Sequence, residues 1–333
     1  LLDVAYVANR GTRLSSSIPL NQVDPSRLSL GPLLRLPIGH PDVVAAGFTA
    51  PFPGFTGTLG QALRPFPQFL NVTSRNSGDG RTWYDSFQAK VERRFGAWQM
   101  MGSYVWSKSL ASLHFRQIFT QTQTFPQNSF DLSPEKYVSP IDQPHVVNIL
   151  NSFDLPMGKG RKFFNRGGVT NAILGGWNIG VIQRYVSGNV GAIAVPNTLG
   201  NAIFNGGKRA NVTGQPLLTS FGRNDLDPAN TNRRFNPGAF ALPGDFEFGN
   251  AGLYLSDFRQ PPLFQENLSI VKRFAVIPLG DQSVNATLRA DFFNLFNRND
   301  FNVNMAVGNA LFGRAVSPNQ GARIITMGIR LEF

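Results

Sequence analysis

The sequence predicts an all-β chain, an antiparallel transmembrane β-barrel with long outer loops and short periplasmic turns. Three observations predict it. Eight stretches alternate apolar with polar residues at period 2, the pattern of strands with one apolar face. The links between them alternate long and short, so one end of an up-and-down meander carries the long loops, as in outer-membrane barrels. The last stretch, 321–333 (GARIITMGIRLEF), ends on an aromatic residue with its apolar side chains on one parity, which suits an edge against lipid.

Taken in order, the first strand is expected over 1–14, with Leu2, Val4, Tyr6 and Ala8 on one face and Asp3 and Asn9 on the other, and Gly11 ending the alternation. Residues 15–81 are proline-rich and lack a sustained period, which marks a long functional loop in which short strands can hide. In 83–95, Trp83, Phe87, Ala89, Val91 and Phe95 oppose Tyr84, Ser86, Gln88, Lys90, Glu92 and Arg94. Gly96–Ala97 then breaks the chain tightly, and 98–110 alternates again with Trp98, Met100, Tyr104 and Trp106 on one parity, so the pair reads as a hairpin. An irregular stretch at 111–142 precedes a strand at 144–155. A glycine-containing turn region at 156–173 precedes a strand at 176–188, with Trp177, Ile179, Val181 and Tyr185 on one side. Residues 189–262 form the second long irregular region. Strands follow at 263–275 and 284–296, with a turn at 278–283 between them, and a loop at 297–320 leads to the last strand.

Composition sets limits. No run of 18 apolar residues occurs, so no helix spans a membrane, which leaves barrel strands open. The absence of cysteine removes disulfides, thiolate metal sites and cysteine nucleophiles. The net charge is +11, yet the basic residues are scattered, with no basic arm or helix; the expected electrostatic partners are lipopolysaccharide phosphates and membrane lipid rather than nucleic acid.

Motifs for chemistry are weak. His40, His114 and His145 lack metal-ligand spacing, so no metal is expected. The glycine-basic stretch 156–162 departs from phosphate-loop spacing, and 224–227 lacks the glycine and glutamate of a calcium loop. No Ser/His/Asp order or paired-carboxylate motif stands out, so neither an enzyme nor a cofactor is expected. The remaining candidates are positional. Arg289 and Asp291, with Arg330 and Glu332 on the neighbouring strand, occupy the polar parity. They are expected to face the lumen, where charges on adjacent strands can pair or meet a domain filling it. Trp83, Trp98, Trp106, Trp177 and Phe333 are expected at the membrane interfaces.

Several stretches together resemble the carboxyl-terminal part of a TonB-dependent receptor of the Oar-like kind found in acidobacteria: DVAYVANRGTRL at 3–14, WYDSFQAKVERRFG at 83–96, YVWSKSL at 104–110, FDLPMGKGRKF at 153–163, LGGWNIGVIQRYVSG at 174–188, FNPGAF at 235–240, LRADFFNLFNR at 288–298 and the terminal GIRLEF. The resemblance implies a 22-stranded barrel in the bacterial outer membrane, of which 1–333 would supply the last eight strands. It also implies a plug inside the barrel and energising by a TonB complex through segments upstream. The start at Leu1–Leu2–Asp3, already inside a strand pattern, agrees with a longer parent chain. The expected function is import of an unidentified ligand. Other readings are a surface structural or adhesion protein anchored by its barrel, a small closed eight-stranded barrel, and a soluble sandwich.

Overall fold

The period-2 stretches become eight long strands: β1 (Leu2–Leu14), β2 (Gly80–Phe95), β3 (Trp98–Ser112), β4 (His145–Asp154), β5 (Trp177–Val186), β6 (Leu263–Leu279), β7 (Gln282–Phe293) and β8 (Ile324–Glu332). A computed structural model describes residues 1–113, 125–195, 208–279 and 282–332; His114 and Phe333 lie outside the described residues. The strands form one antiparallel meander in sequence order, and a short strand at Lys136–Val138 adds to the end of β3. Among the described residues β1 pairs only with β2 and β8 only with β7, so the sheet is open at both edges and does not close as an eight-stranded barrel.

The register separates two faces. Cross-strand partners point to the same side of a sheet. One row of partners reads Phe95, Trp98, Phe153, Ile179, Ile270, Ala290 and Met327. The opposite parity gives Arg94, Gln99, Ser152, Gly180, Ser269, Asp291 and Thr326. Apolar and polar rows therefore lie on opposite sides across seven strands, and a register slip of one residue anywhere would invert this.

Strand ends differ from expectation where backbone pairing outlasts alternation. β1 runs past Gly11 to Leu14 through a register shift, with Leu14 opposite Gly80, so β2 begins at Gly80 rather than near 83. β6 and β7 extend to Leu279 and Gln282 because Pro278 and Ser283 pair, which places strand where a turn at 278–283 was expected. At the start of β5, Gly176 has φ +74°, and a Cβ there would lie 2.0 Å from the Arg273 carbonyl oxygen, so only glycine fits between β5 and β6.

The alternating links place 15–79 (L1), 113–144 (L2), 187–262 (L3) and 294–323 (L4) at one end, and Gly96–Ala97, 155–176 and the β6–β7 turn at the other. L1 is built from short pieces. Ser17–Pro19 pairs with Thr73–Arg75 at its base, and Asp24, His40 and Thr58 cap a 3-10 segment at Pro25–Arg35, broken by a kink at Gly31, and helices at Pro41–Ala45 and Leu59–Ala62. Most of the buried apolar core lies in these loops. One cluster joins Leu28, Leu34, Ile38, Val43 and Leu59 of L1 to Phe246 and Phe248 of L3. Another joins Phe235, Phe240 and Phe258 of L3 to Val303, Val307 and Phe312 of L4, with ring centroids 4.7 Å apart for Phe235 and Phe258. A third packs Tyr137 of L2 against Leu253 of L3, so the described parts of L1 to L4 form one packed cap.

Candidate functional site

Two surfaces bear on function: the polar face of the sheet and the cap above it. The polar face bears an open groove of about 690 Å³, lined among others by Glu92, Arg94, Met101, Ile182, Arg289 and Asp291. Its floor is mixed. Register places Met101, Leu150 and Ile182 side by side on β3, β4 and β5, with Glu92 and Asn267 at the ends of the row.

The charged residues expected on this face are on it, but they do not pair across strands. Arg289 bonds Asp291 at 2.6 Å on β7, and Arg330 meets Glu332 at 3.0 Å on β8. Register explains this. Arg289 and Asp291 lie opposite Gly328 and Thr326, while Arg330 and Glu332 lie opposite Thr287 and Asn285, so each charge finds its counter-ion two residues along its own strand. The Arg330–Glu332 pair is exposed and contributes little stability, while in the other pair Arg289 is exposed and Asp291 largely covered.

The tryptophans expected at membrane interfaces lie on the apolar face. Trp98 and Trp177 are near the short-turn end, Trp83 is near the loop end, and Trp106 is in a row with Tyr6, Phe87 and His145. Trp98 and Trp106 are eight residues apart on β3, as are Trp177 and Tyr185 on β5. At about 3.3 Å per residue that is about 26 Å along the strand, or about 20 Å across a bilayer for a tilt near 40°. The aromatic rows thus bracket about 20 Å, somewhat less than the about 25 Å apolar band of an outer-membrane barrel.

Above the strands, ion pairs join the loops. Arg209 of L3 donates to Glu135 of L2 at 2.5 Å, and both side chains are nearly fully buried (2% and 3% exposed). The Gln127 side-chain oxygen accepts from the Arg209 and Gly249 amides at 2.8 and 3.2 Å, and Gln22 of L1 accepts from the Ser129 amide at 2.7 Å. Arg259 pairs with buried Asp142, and Arg223 of L3 meets Asp300 of L4 at 3.0 Å. Arg298 forks onto Glu266 of β6 with two bonds of 2.9 Å, tying L4 to the sheet. Burial holds the Asp300 carboxyl above the usual carboxylate range, even with Arg223 and Arg298 nearby.

Sequence reasoning missed these pairs, whose partners lie far apart in loops without a period. One signal was present: Phe235, Phe240, Phe246 and Phe248 crowd a stretch read as irregular, which is more aromatic surface than a solvated loop needs.

The weak motifs are spent internally. In 156–162, the Lys159 amide donates to Asn171 and the Gly160 amide to Asn165, which leaves those donors unavailable to a phosphate. Asp225 and Asp227 accept from Gly222 and Ala229 of their own turns. His40 caps a helix, and His145 bonds Tyr104 at 2.9 Å.

Comparison with known proteins gives one match that spans almost the whole chain: a family model described as outer membrane beta barrel domain fits residues 1–326. No curated protein matches, and no solved structure matches.

Proposed function

We propose, since this chain belongs to the outer membrane beta barrel domain family and so resides in the bacterial outer membrane, that its polar face lines the lumen of a ligand-importing barrel of the TonB-dependent, Oar-like type. The observation that carries the proposal is the groove on the polar face, opposite an apolar face with aromatic rows, beneath a cap built from every long loop. In hydrocarbon each backbone edge needs a partner, so β1 and β8 would pair with further strands of the same wall. The Met101–Leu150–Ile182 row, set in polar surroundings, would then touch a plug in the lumen, with outer-membrane lipid and lipopolysaccharide outside and the TonB complex coupled from the periplasm. Arg289, Asp291, Arg330 and Glu332 would be lumen-facing charges that keep this wall hydrated. No role in bond-making chemistry is proposed.

A second reading, adhesion through a barrel anchor, is favoured by exposed apolar side chains on the cap, among them Phe69, Leu70, Phe130 and Leu242. One experiment separates the two. A strain lacking the gene is compared with the complemented strain by mass spectrometry of solutes left in the medium, alongside cell–cell adhesion. Import requires at least one solute to remain undepleted in the deletion strain. Unchanged depletion of all solutes with lost adhesion would refute import and support the anchor.

A further inference from the structure

A second cleft, of about 710 Å³, opens at the loop end of the apolar face, outside the polar groove. Its floor is the row Tyr6, Phe87 and Trp106, which lie beside one another on β1, β2 and β3. Tyr6 and Trp106 are 70% and 59% exposed, so this floor is open rather than packed. One step nearer the loops on the same face stand Asp85 and Lys108, and L3 leans over them: Lys108 donates to Ser256 at 2.7 Å, and Arg234, Asp257 and Arg259 form the far wall.

The charges in this cleft do not cancel. Asp85 is taken by Arg10, through two bonds of 2.8 Å, and by the Tyr6 hydroxyl. Arg259 is taken by Asp142. Among the described residues neither Lys108 nor Arg234 has a carboxylate partner; Lys108 bonds a hydroxyl and Arg234 a backbone carbonyl. Asp257, exposed on the rim, is the remaining carboxylate. Burial alone acts on Arg234 and lowers its pKa, the behaviour of a half-desolvated cation with no counter-charge.

Lys108 and Arg234 against Asp257 leave one net positive charge beside the apolar floor, a combination that suits the zone where a bilayer changes from acyl chains to headgroups. A soluble anion would use the cations and leave the aromatic floor bare. We infer that this cleft seats a phosphate-bearing lipid of the outer leaflet, with its phosphate between Lys108 and Arg234 and an acyl chain along Phe87 and Trp106. The assignment goes beyond the import reading and holds equally for a transporter or an anchor.

The test uses the intact protein purified in detergent, with bound lipid counted by native mass spectrometry. The probes are bis-phosphorylated lipid A, its dephosphorylated form and inorganic phosphate. Wild-type protein should retain lipid A. K108Q/R234Q should weaken retention about thirtyfold and R234Q alone about fivefold, the surface value for two cations and for one. The conservative K108R/R234K variant should retain lipid A, and R234Q, which leaves the Lys108–Ser256 contact in place, serves if the double variant folds poorly. Equal binding of dephosphorylated lipid A would overturn the inference. So would unchanged retention in R234Q and K108Q/R234Q, or displacement of lipid A by inorganic phosphate, which would mark a free-anion site.

Discussion

Replacing Glu135 with Gln tests whether the loops are one cap held from within. Glu135 and Arg209 are almost completely enclosed, and Arg209 is among the largest fully buried side chains of the chain. Removing one member of such a pair strands the other as a buried charge, at a cost of about 3–5 kcal/mol. The Gln amide oxygen can still accept from Arg209, so the lower end, about 3 kcal/mol, is expected. The cost falls on local opening of the cap, because none of the residues involved belongs to β1–β8. Three amides report it: Arg209 and Gly249, which donate to Gln127, and Gln127, which donates to Glu135. Their hydrogen exchange should speed up by about 160-fold, since each 1.36 kcal/mol is tenfold. The assay is exchange mass spectrometry on the intact protein in detergent. Amides of β3 and β5 should keep their rates. Unchanged exchange at Arg209 and Gly249, or an equal rise in the strands, would refute the reasoning. E135L/R209M, which replaces both charges with apolar groups, should recover much of the protection.

Three other outcomes are expected. Phe235→Ala empties the centre of the L3–L4 aromatic cluster and should cost about 3–5 kcal/mol, read as faster exchange at its neighbours Phe258 and Phe312. Ile149→Arg places a cation on the apolar face of β4 and should destabilise the barrel in vesicles by about 2–4 kcal/mol in a urea titration, whereas Asn148→Arg, one residue away on the polar face, should cost much less; equal costs would contradict the assignment of faces. The raised pKa of Asp300 means that the folded cap binds this proton more tightly than the open loop. Its contribution is therefore fully present below the ordinary carboxylate value, about 4, and is lost as pH rises through the raised value, so exchange in L4 should slow on acidification through that window and Asp300→Asn should flatten the dependence.

Legibility in the sequence followed the range of the interaction. The alternation in 83–95 and 98–110 led directly to the β2–β3 ladder, since Gly96–Ala97 is a tight break between two patterns that agree. The polar parity of Arg289 and Asp291 was likewise readable, because parity follows from position along one strand. Their pairing partners were not. That Gly328 and Thr326, rather than Arg330 and Glu332, lie opposite them depends on the register between β7 and β8. At Pro278 the turn composition misled, because proline at this strand end still pairs with Ser283 across the hairpin.

The sequence by itself determined the number and order of the long strands, the face each side chain takes, and the end at which the long loops gather. Those properties are local: a strand repeats every two residues, and a meander adds neighbours in order. Only the tertiary structure decided that L1 to L4 share a core, that Glu135 meets Arg209 and Asp142 meets Arg259, and that L3 overhangs Tyr6, Phe87 and Trp106. The reason is physical. Side chains on the strands divide by parity into an apolar and a polar face, so their pattern shows in the sequence. L3 and L4 bury Phe235, Phe240, Phe258 and Phe312 together, and Arg209, Arg223 and Arg259 find their carboxylates on other loops; those partners meet only once the strands have brought the loop ends together.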